Sequence, residues 1–327
     1  MIFKSKKPVF TGVNWNKIDD TYSKAFWDQN VRQFWIDEEI PLSGDKIVWN
    51  ELSEDERDVY KKVLVGLTLL DTHQGTIGMN SIASAIESHH TVAVLQFMAM
   101  MEHMHAKSYS SIFSTLCTTE EIDELFAWSE KQIHLQKKLS IVVKYYETIE
   151  NEETLYMAMV ASVFLESFLF YSGFYYILLL SGKGLMVNSG EIINLIIRDE
   201  AIHGVYIGLL ANEIYKTWNP EKQAMFDKKA RELLKELMEN EIEYTKEIYT
   251  KIGLVDEVKK FLEYNANKAL QNLQLKEEYD TTAEDISSIV FNGLKTTTKN
   301  HDFFSSKGNG YIKPTKIEEV KDEDFQF

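Results

Sequence analysis

Apolar residues recur at spacings of three and four positions along most of the chain, which is the period of one face of an α-helix. Only four prolines occur, at positions 8, 41, 220 and 314, so the strongest helix breaker is absent from the long intervals between them. No alternating apolar and polar pattern of useful length predicts a strand. The pattern therefore predicts an all-α fold, a bundle of long helices with additional helices around it.

Six segments carry the helical period, and we interpret each as a long helix. They are residues 60–75, 92–113, 121–149, 155–180, 190–218 and 221–253. The segment 155–180 is apolar enough to raise the question of a membrane span. Glu166 near its middle and the absence of basic flanks favour a helix buried inside the protein.

The chain divides into three predicted regions. Residues 1–40 are rich in aromatic side chains and are expected to pack on the bundle, which spans residues 41–300. Residues 301–327 contain Gly, Pro and charge without periodicity, which predicts a flexible tail. Because this tail ends in Phe325 and Phe327 beside acidic residues, we interpret it as a peptide that docks on a partner.

Charge and cysteine content narrow the function. The formal charge of −16 argues against a nucleic-acid surface, which needs clustered Lys and Arg. Cys117 is the single cysteine, and the N-terminus lacks the apolar region of a secretion signal. A cytoplasmic protein without a membrane segment is the expectation.

Polar residues interrupt four of the apolar helical patterns at chemically related positions. They are Asp71, Glu102 with His105, Glu166, and Glu200 with His203. The Glu and His of each Glu-x-x-His pair share one helix face, and an unpartnered buried carboxylate is costly. A third such pair, Glu87 and His90, lies in a polar patch and is interpreted as a surface or helix-end pair.

Four carboxylates and two imidazoles form an oxygen-rich set that suits two Fe or Mn ions and suits a structural zinc poorly. The same pattern is typical of helical bundles with a dinuclear carboxylate centre. The alternative is that the six residues are separate buried polar groups, each satisfied by a neighbouring helix. A protein of that kind would purify without stoichiometric metal.

With these residues in place, the sequence resembles the small, radical-generating subunit of class I ribonucleotide reductase over nearly its whole length. The matching segments are LLDT, MEHMHAKSYSSIF, ASVFLESFLFYSGFY, IIRDEAIHG and the late NGY before an acidic, aromatic end. The short chain and the wording of these segments look most like the class Ib branch. The resemblance implies a ferritin-like bundle and the reduction of ribonucleotides to deoxyribonucleotides by a ribonucleoside-diphosphate reductase.

The resemblance also implies roles for individual residues. Asp71, Glu102 and His105 would bind one metal, and Glu166, Glu200 and His203 would bind the other, with Glu102 and Glu200 as bridges. Tyr109 would carry a stable tyrosyl radical inside an apolar pocket formed by Phe170, Phe174 and Ile196. The radical would be passed along Tyr109, His105, Asp199, Trp35 and Tyr311.

The family further implies a homodimer and a large subunit that binds the C-terminal tail and holds the substrate. In class Ib, a flavodoxin-like activator would assemble a manganese cofactor, and iron would also be competent. A di-iron carboxylate oxygenase or desaturase is the rival enzyme, and Asp71, Tyr109 and the tail argue against it. A ferritin-like iron store and a metal-free helical scaffold explain the sequence less well.

Overall fold

Twelve α-helices account for most of the residues that the computed structural model describes, which are Phe3 and residues 10–290. They are α1 (Ser23–Arg32), α2 (Asp45–Glu51), α3 (Glu54–His73), α4 (Met79–Ala85), α5 (His89–Leu116), α6 (Thr119–Ser129), α7 (Ile133–Glu147), α8 (Glu152–Phe164), α9 (Tyr171–Gly182), α10 (Val187–Tyr215), α11 (Pro220–Tyr249) and α12 (Val255–Asn272). Within the described ranges the only β structure is an isolated antiparallel bridge between Phe3 and Ile86. The all-α prediction is confirmed.

Side-chain caps set where several helices begin. Ser53 accepts a hydrogen bond from the backbone N–H of Glu56, and the Glu56 side chain accepts one from the backbone N–H of Ser53, so α3 starts with a capping box. The Asn219 side chain caps α11 by accepting a hydrogen bond from the backbone N–H of Lys222, and Pro220 occupies the first helical position, where its missing N–H costs nothing.

Two predicted helices are interrupted. The prediction of one helix over residues 121–149 is wrong, because α6 ends at Ser129 and Gln132 starts α7 by accepting a hydrogen bond from the N–H of Leu135 at 2.6 Å. The predicted helix 155–180 contains a π-helical turn, Leu165–Leu169, between α8 and α9. A second π-helical turn, Gln74–Gly78, follows α3, and such turns are frequent at functional sites.

Four helices, α3, α5, α8 and α10, surround the centre of the bundle and form its four-helix core. Helix α3 packs along α5, α5 contacts α10, and α10 packs along α8, while α9 and the turn Gln74–Gly78 bring α3 and α8 together. Residues Glu152–Gly182 are long and apolar enough to cross a membrane, but their most hydrophobic window is entirely buried in the bundle. This burial is what the sequence predicted for that segment.

The segment before the bundle also contributes buried side chains. Helix α1 packs against α5 and α10, and Trp35, which follows α1, is only 2% exposed. Trp35 thereby reaches the same interior as α5 and α10, where the candidate metal ligands lie.

Candidate metal centre

Six titratable side chains converge at the centre of the four-helix core, and all six are fully buried. They are Asp71 on α3, Glu102 and His105 on α5, Glu166 in the turn Leu165–Leu169, and Glu200 and His203 on α10. They form two overlapping groups whose ligand atoms lie within 4.8 Å of one another. Both groups contain Glu102 and Glu200, which therefore stand where carboxylates shared by two ions would stand.

Each histidine faces the glutamate of the other Glu-x-x-His pair. Nδ1 of His203 lies 2.8 Å from Oε1 of Glu102, and Nδ1 of His105 lies 2.9 Å from Oε1 of Glu200. Within the pairs, the distances from histidine Nδ1 to the glutamate are longer, 3.7 Å for His105 to Glu102 and 3.4 Å for His203 to Glu200. Each of these two histidines, on α5 or α10, is thus closest to the glutamate on the other of these two helices.

The polar atoms at the centre fit a metal-binding role. Both carboxylate oxygens of Asp71, Glu102 and Glu200 lack a hydrogen bond of normal geometry, as does Nδ1 of each histidine. Buried polar atoms are normally satisfied, and those left without a partner need an explanation. Two divalent cations, which take oxygen and nitrogen ligands, would supply one here.

Burial and neighbouring charges shift the pKa values of the acids at the centre. Burial, followed by the charges of Glu102 and Glu200, raises the pKa of Asp71 and also that of Glu166 well above the ordinary value. Burial opposes ionisation of Glu200 too, but the close approach of Glu166 and of the two histidines outweighs burial and holds the pKa of Glu200 below its usual range.

The pKa values of the two imidazoles are raised, whereas burial alone would lower them. Burial disfavours the charged rings, but the carboxylates that lie close to their nitrogens raise the pKa of His105 and of His203 well above the ordinary value. Without metal, the site therefore gathers protons around its carboxylates. Divalent cations would take the place of those protons.

The outer nitrogen of His105 has a carboxylate partner. Nε2 of His105 lies 3.2 Å from Oδ2 of Asp199, and the same oxygen accepts a hydrogen bond from Nε1 of Trp35 at 2.7 Å. The rings of Trp35 and His105 are stacked, with centroids 6.0 Å apart. Because Asp199 accepts from Nε2, the Nδ1 lone pair of His105 is left for a metal.

Two residues that the sequence analysis did not single out complete this link. Gln33 donates to Oδ1 of Asp199 at 2.9 Å, and Arg198 donates to the backbone oxygen of Gln33 at 2.6 Å. Arg198 precedes Asp199 in a matched segment and could have been noticed there. Gln33 carries no comparable signal, because its contact spans 166 positions of sequence.

Tyr109 is fully buried, and no hydrogen bond of normal geometry involves its hydroxyl group. Burial and then the charge of Asp71 raise the pKa of Tyr109 well above the ordinary value, so the phenol is neutral at rest. Phe170, Phe174 and Ile196 are also completely buried, and the two phenylalanine rings pack against each other at 5.8 Å. Their role as a pocket for Tyr109 stays a prediction.

The pair Glu87 and His90 lies apart from both metal groups. His90 is in the first turn of α5, in keeping with the interpretation as a helix-end pair, but it is buried rather than on the surface. Its Nδ1 lies 3.1 Å from Asp19, its Nε2 lies 3.0 Å from the backbone oxygen of Asn14, and Trp15 packs edge-on against its ring. The N-terminal segment covers this histidine, which the local pattern could not show.

The predicted residues at the end of the chain are not placed here. Tyr311, Phe325 and Phe327, with the whole predicted tail 301–327, lie outside the described residues. The last proposed transfer residue and the docking segment therefore remain sequence predictions.

A helical bundle that gathers four carboxylates and two histidines at its centre defines the class of dinuclear metal-carboxylate proteins. Within this class, the chain matches the family described as "Ribonucleotide reductase, small chain" over residues 12–286, and it belongs to that family. The family resemblance predicted from the sequence motifs is confirmed.

Individual relatives agree with the family. The chain is 55% identical to the ribonucleoside-diphosphate reductase subunit beta of Bacillus phage SPbeta, covering 98% of this chain and 97% of the relative. It is 54% identical to the subunit of the same name from Bacillus subtilis (strain 168), with the same coverage. Among solved structures, the dimanganese(II)-NrdF of Streptococcus sanguinis is similar with a TM-score of 0.85 and 43% identity, covering 88% of this chain and 100% of that chain. These similarities confirm the ferritin-like helical fold.

Proposed function

We propose that this chain is the radical-generating small subunit of a class Ib ribonucleoside-diphosphate reductase. The observation that carries the proposal is the pair of overlapping ligand groups, which share Glu102 and Glu200. Family membership supports the activity, and the relatives at 54% and 55% identity bear that enzyme name.

The six buried side chains would hold two ions of manganese or iron. Asp71, Glu102 and His105 would serve one ion, and Glu166, Glu200 and His203 the other, with Glu102 and Glu200 bridging. The similar S. sanguinis structure is described as dimanganese(II), which supports manganese in this chain. When bound, the metal pair supplies the one-electron oxidation of a tyrosine after reaction with an oxidant.

Tyr109 is the residue that would store the oxidising equivalent. Oxidation removes one electron and the phenolic proton from its side chain, and the product persists only where water and reductants are excluded. The complete burial of Tyr109 supports this role, as does the burial of Phe170, Phe174 and Ile196.

The connected side chains His105, Asp199 and Trp35 would carry the oxidising equivalent away from Tyr109. Their hydrogen bonds and the stacking of Trp35 on His105 support a continuous path from the centre to the segment before α2. We propose Tyr311 as the next residue of the path.

The family description, a small chain, implies a large-subunit partner, and we propose that this partner holds the nucleotide. We propose that the tail 301–327, with Phe325 and Phe327, binds that subunit, and that the small subunit is a homodimer. Activation by a flavodoxin-like protein would accompany the use of manganese. We also propose a cytoplasmic location, in keeping with the lone Cys117.

The experiment that tests the proposal is low-temperature electron paramagnetic resonance, with metal quantified in the same sample. Spectra are recorded before and after Fe(II) plus oxygen, and after Mn(II) with the flavodoxin-like activator. A tyrosyl signal that scales with bound metal is the expected result. Bound metal without a radical under both conditions would favour the oxygenase, and the absence of metal would favour the scaffold.

A further inference from the structure

A buried amide outside the ligand set contacts one of the candidate ligands. Gln74 lies at the start of the π-helical turn Gln74–Gly78, three residues after Asp71, and is fully buried. Its Nε2 donates one hydrogen bond to Oε1 of Glu166 and another to Oγ of Ser162 at 2.8 Å. Its Oε1 accepts a hydrogen bond from the hydroxyl of Tyr146 at 2.7 Å. Both N–H groups and the carbonyl of this amide are therefore used.

The hydrogen bond from Tyr146 fixes which way the amide points. A carboxylate that binds a metal only accepts hydrogen bonds, so in the metal-bound centre the NH₂ side of Gln74 must face Glu166 and its oxygen must face away. Tyr146 is buried and donates to that oxygen, which makes this orientation the favoured one. A buried amide whose donors and acceptor are all used is held in one orientation.

The two oxygens of Glu166 are consequently different. Oε1 is held by Gln74, whereas Oε2 has no hydrogen bond of normal geometry and lies 3.6 Å from Nδ1 of His203. Oε2 is thus the oxygen directed at the second metal position. Both oxygens of Asp71, the corresponding acid of the first position, lack a hydrogen bond. The two halves of the centre therefore hold their terminal carboxylates in different ways.

A glycine close to Gln74 leaves space for this contact. A Cβ atom at Gly78 would lie 2.3 Å from Oε1 of Gln74 and 2.8 Å from the ring of Tyr146, so only glycine leaves room for both. Glu166 itself lies in the other π-helical turn, Leu165–Leu169. The bond from Gln74 to Glu166 therefore joins the two π-helical turns of the bundle.

We propose that Gln74, oriented by Tyr146, is a positioning residue that keeps Oε1 of Glu166 off the metal and sets the affinity of the Glu166 half of the centre. The inference rests on the proposed dinuclear metal centre. A hydrogen bond from an outer residue fixes the orientation of a ligating carboxylate, and losing such a partner typically weakens metal binding by about 10- to 100-fold. Gln74 bonds to Glu166 alone among the ligands, so the loss falls on one ion of the two.

The test compares Gln74→Met with the wild-type chain in Mn(II) titrations. Methionine keeps the length of the side chain and removes both N–H donors. We expect the affinity for one of the two ions to fall by about 10- to 100-fold, while the other ion binds as in the wild type. At limiting Mn(II), the electron paramagnetic resonance spectrum should change from that of a coupled pair to that of isolated Mn(II).

Tyr146→Phe is the second variant, because it removes only the hydroxyl that orients the amide. It should lower the affinity for the same ion by a smaller factor than Gln74→Met does. It also keeps the inference testable if Gln74→Met does not fold. The matched control is Asn240→Leu, which removes another buried amide, one that donates to the backbone oxygen of His134. Its thermal unfolding temperature should fall, but it should retain both ions.

Each outcome separates this inference from the proposed function. If the wild-type chain binds no Mn(II), the proposed metal centre itself fails. If the wild type binds two ions, and Gln74→Met and Tyr146→Phe bind both with wild-type affinity, the positioning role of Gln74 is wrong. It is also wrong if these variants lose both ions equally, because a general structural defect produces that result.

Discussion

Nε1 of Trp35 donates a hydrogen bond to Oδ2 of Asp199 at 2.7 Å, although the two residues are 164 positions apart in the sequence. The same carboxylate oxygen lies 3.2 Å from Nε2 of His105, a candidate metal ligand. One buried carboxylate thus links an aromatic side chain outside the four-helix core to the metal centre. In the proposed transfer path, Trp35 would pass the oxidising equivalent from the centre toward the large subunit.

Replacing Trp35 by Phe keeps an aromatic ring and removes the hydrogen bond to Asp199. We expect nucleotide reduction with the large subunit to fall by about 10- to 100-fold, while the content of bound metal is unchanged. Turnover and metal are measured on the same preparation. Trp218→Phe is the control, because Trp218 is also buried but its Nε1 has no hydrogen-bond partner. Equal turnover in the two variants would contradict the proposed path.

Replacing Tyr109 by Phe removes the proposed radical site without changing the metal ligands. The variant should bind the wild-type amount of metal and show no tyrosyl signal in electron paramagnetic resonance after activation. Tyr156→Phe is the matched control, since Tyr156 is another buried tyrosine whose hydroxyl has no hydrogen-bond partner. It should keep the signal. A normal tyrosyl signal in Tyr109→Phe would refute the assignment.

Deleting residues 312–327 removes the predicted docking peptide and leaves Tyr311 in place. We expect nucleotide reduction to be abolished, while the tyrosyl radical and the bound metal remain. A synthetic peptide of residues 312–327 should inhibit the full-length enzyme by competing for the large subunit. Continued turnover of the truncated chain with added large subunit would rule out this role of the tail.

Metal affinity should rise with pH. The raised pKa values of Asp71, Glu166, His105 and His203 mean that the metal-free site holds protons at neutral pH that the metal must displace. Glu200, whose pKa is lowered, contributes no proton there. We expect Mn(II) affinity to increase from about pH 6 to about pH 8, with proton release. Calorimetry in two buffers of different ionisation enthalpy measures that release, and an affinity independent of pH would contradict the prediction.

A buried ion pair outside the metal centre should control stability. Nζ of Lys138 lies 2.5 Å from Oε2 of Glu241 and 4.0 Å from the ring centroid of Tyr244. Ser172 also donates to Glu241, and burial lowers the pKa of Lys138. Lys138→Met leaves the Glu241 charge unpaired and should reduce the free energy of unfolding by about 3–5 kcal/mol.

The double variant Lys138→Met, Glu241→Met tests the coupling in that ion pair. It should lose less stability than the sum of the two single variants, because neither charge is left buried alone. Urea unfolding of the metal-free proteins measures all four members of the cycle. Additive losses would show that the pair is not coupled.

Local pattern was sufficient for most of the long helices and for the choice of candidate ligands, although it missed α12. Glu102 and His105, like Glu200 and His203, are three positions apart, and helix geometry alone places the members of each pair on one face. Asp71 and Glu166 stood out because each interrupts an apolar run. Local pattern was insufficient at the break between Ser129 and Ile133 and at the two π-helical turns, because these depend on how the backbone adjusts to its neighbours.

The sequence by itself determined the all-α bundle and the family, and it picked out the six candidate ligands and Tyr109 as the candidate radical site, because helical period and motif spacing are properties of neighbouring residues. The tertiary structure alone decided that His105 faces Glu200, that Trp35 reaches Asp199 and that Gln74 holds Glu166. The burial of His90 beneath the N-terminal segment belongs to the same group. These contacts join distant parts of the chain, and they depend on the rotation and depth at which the helices pack.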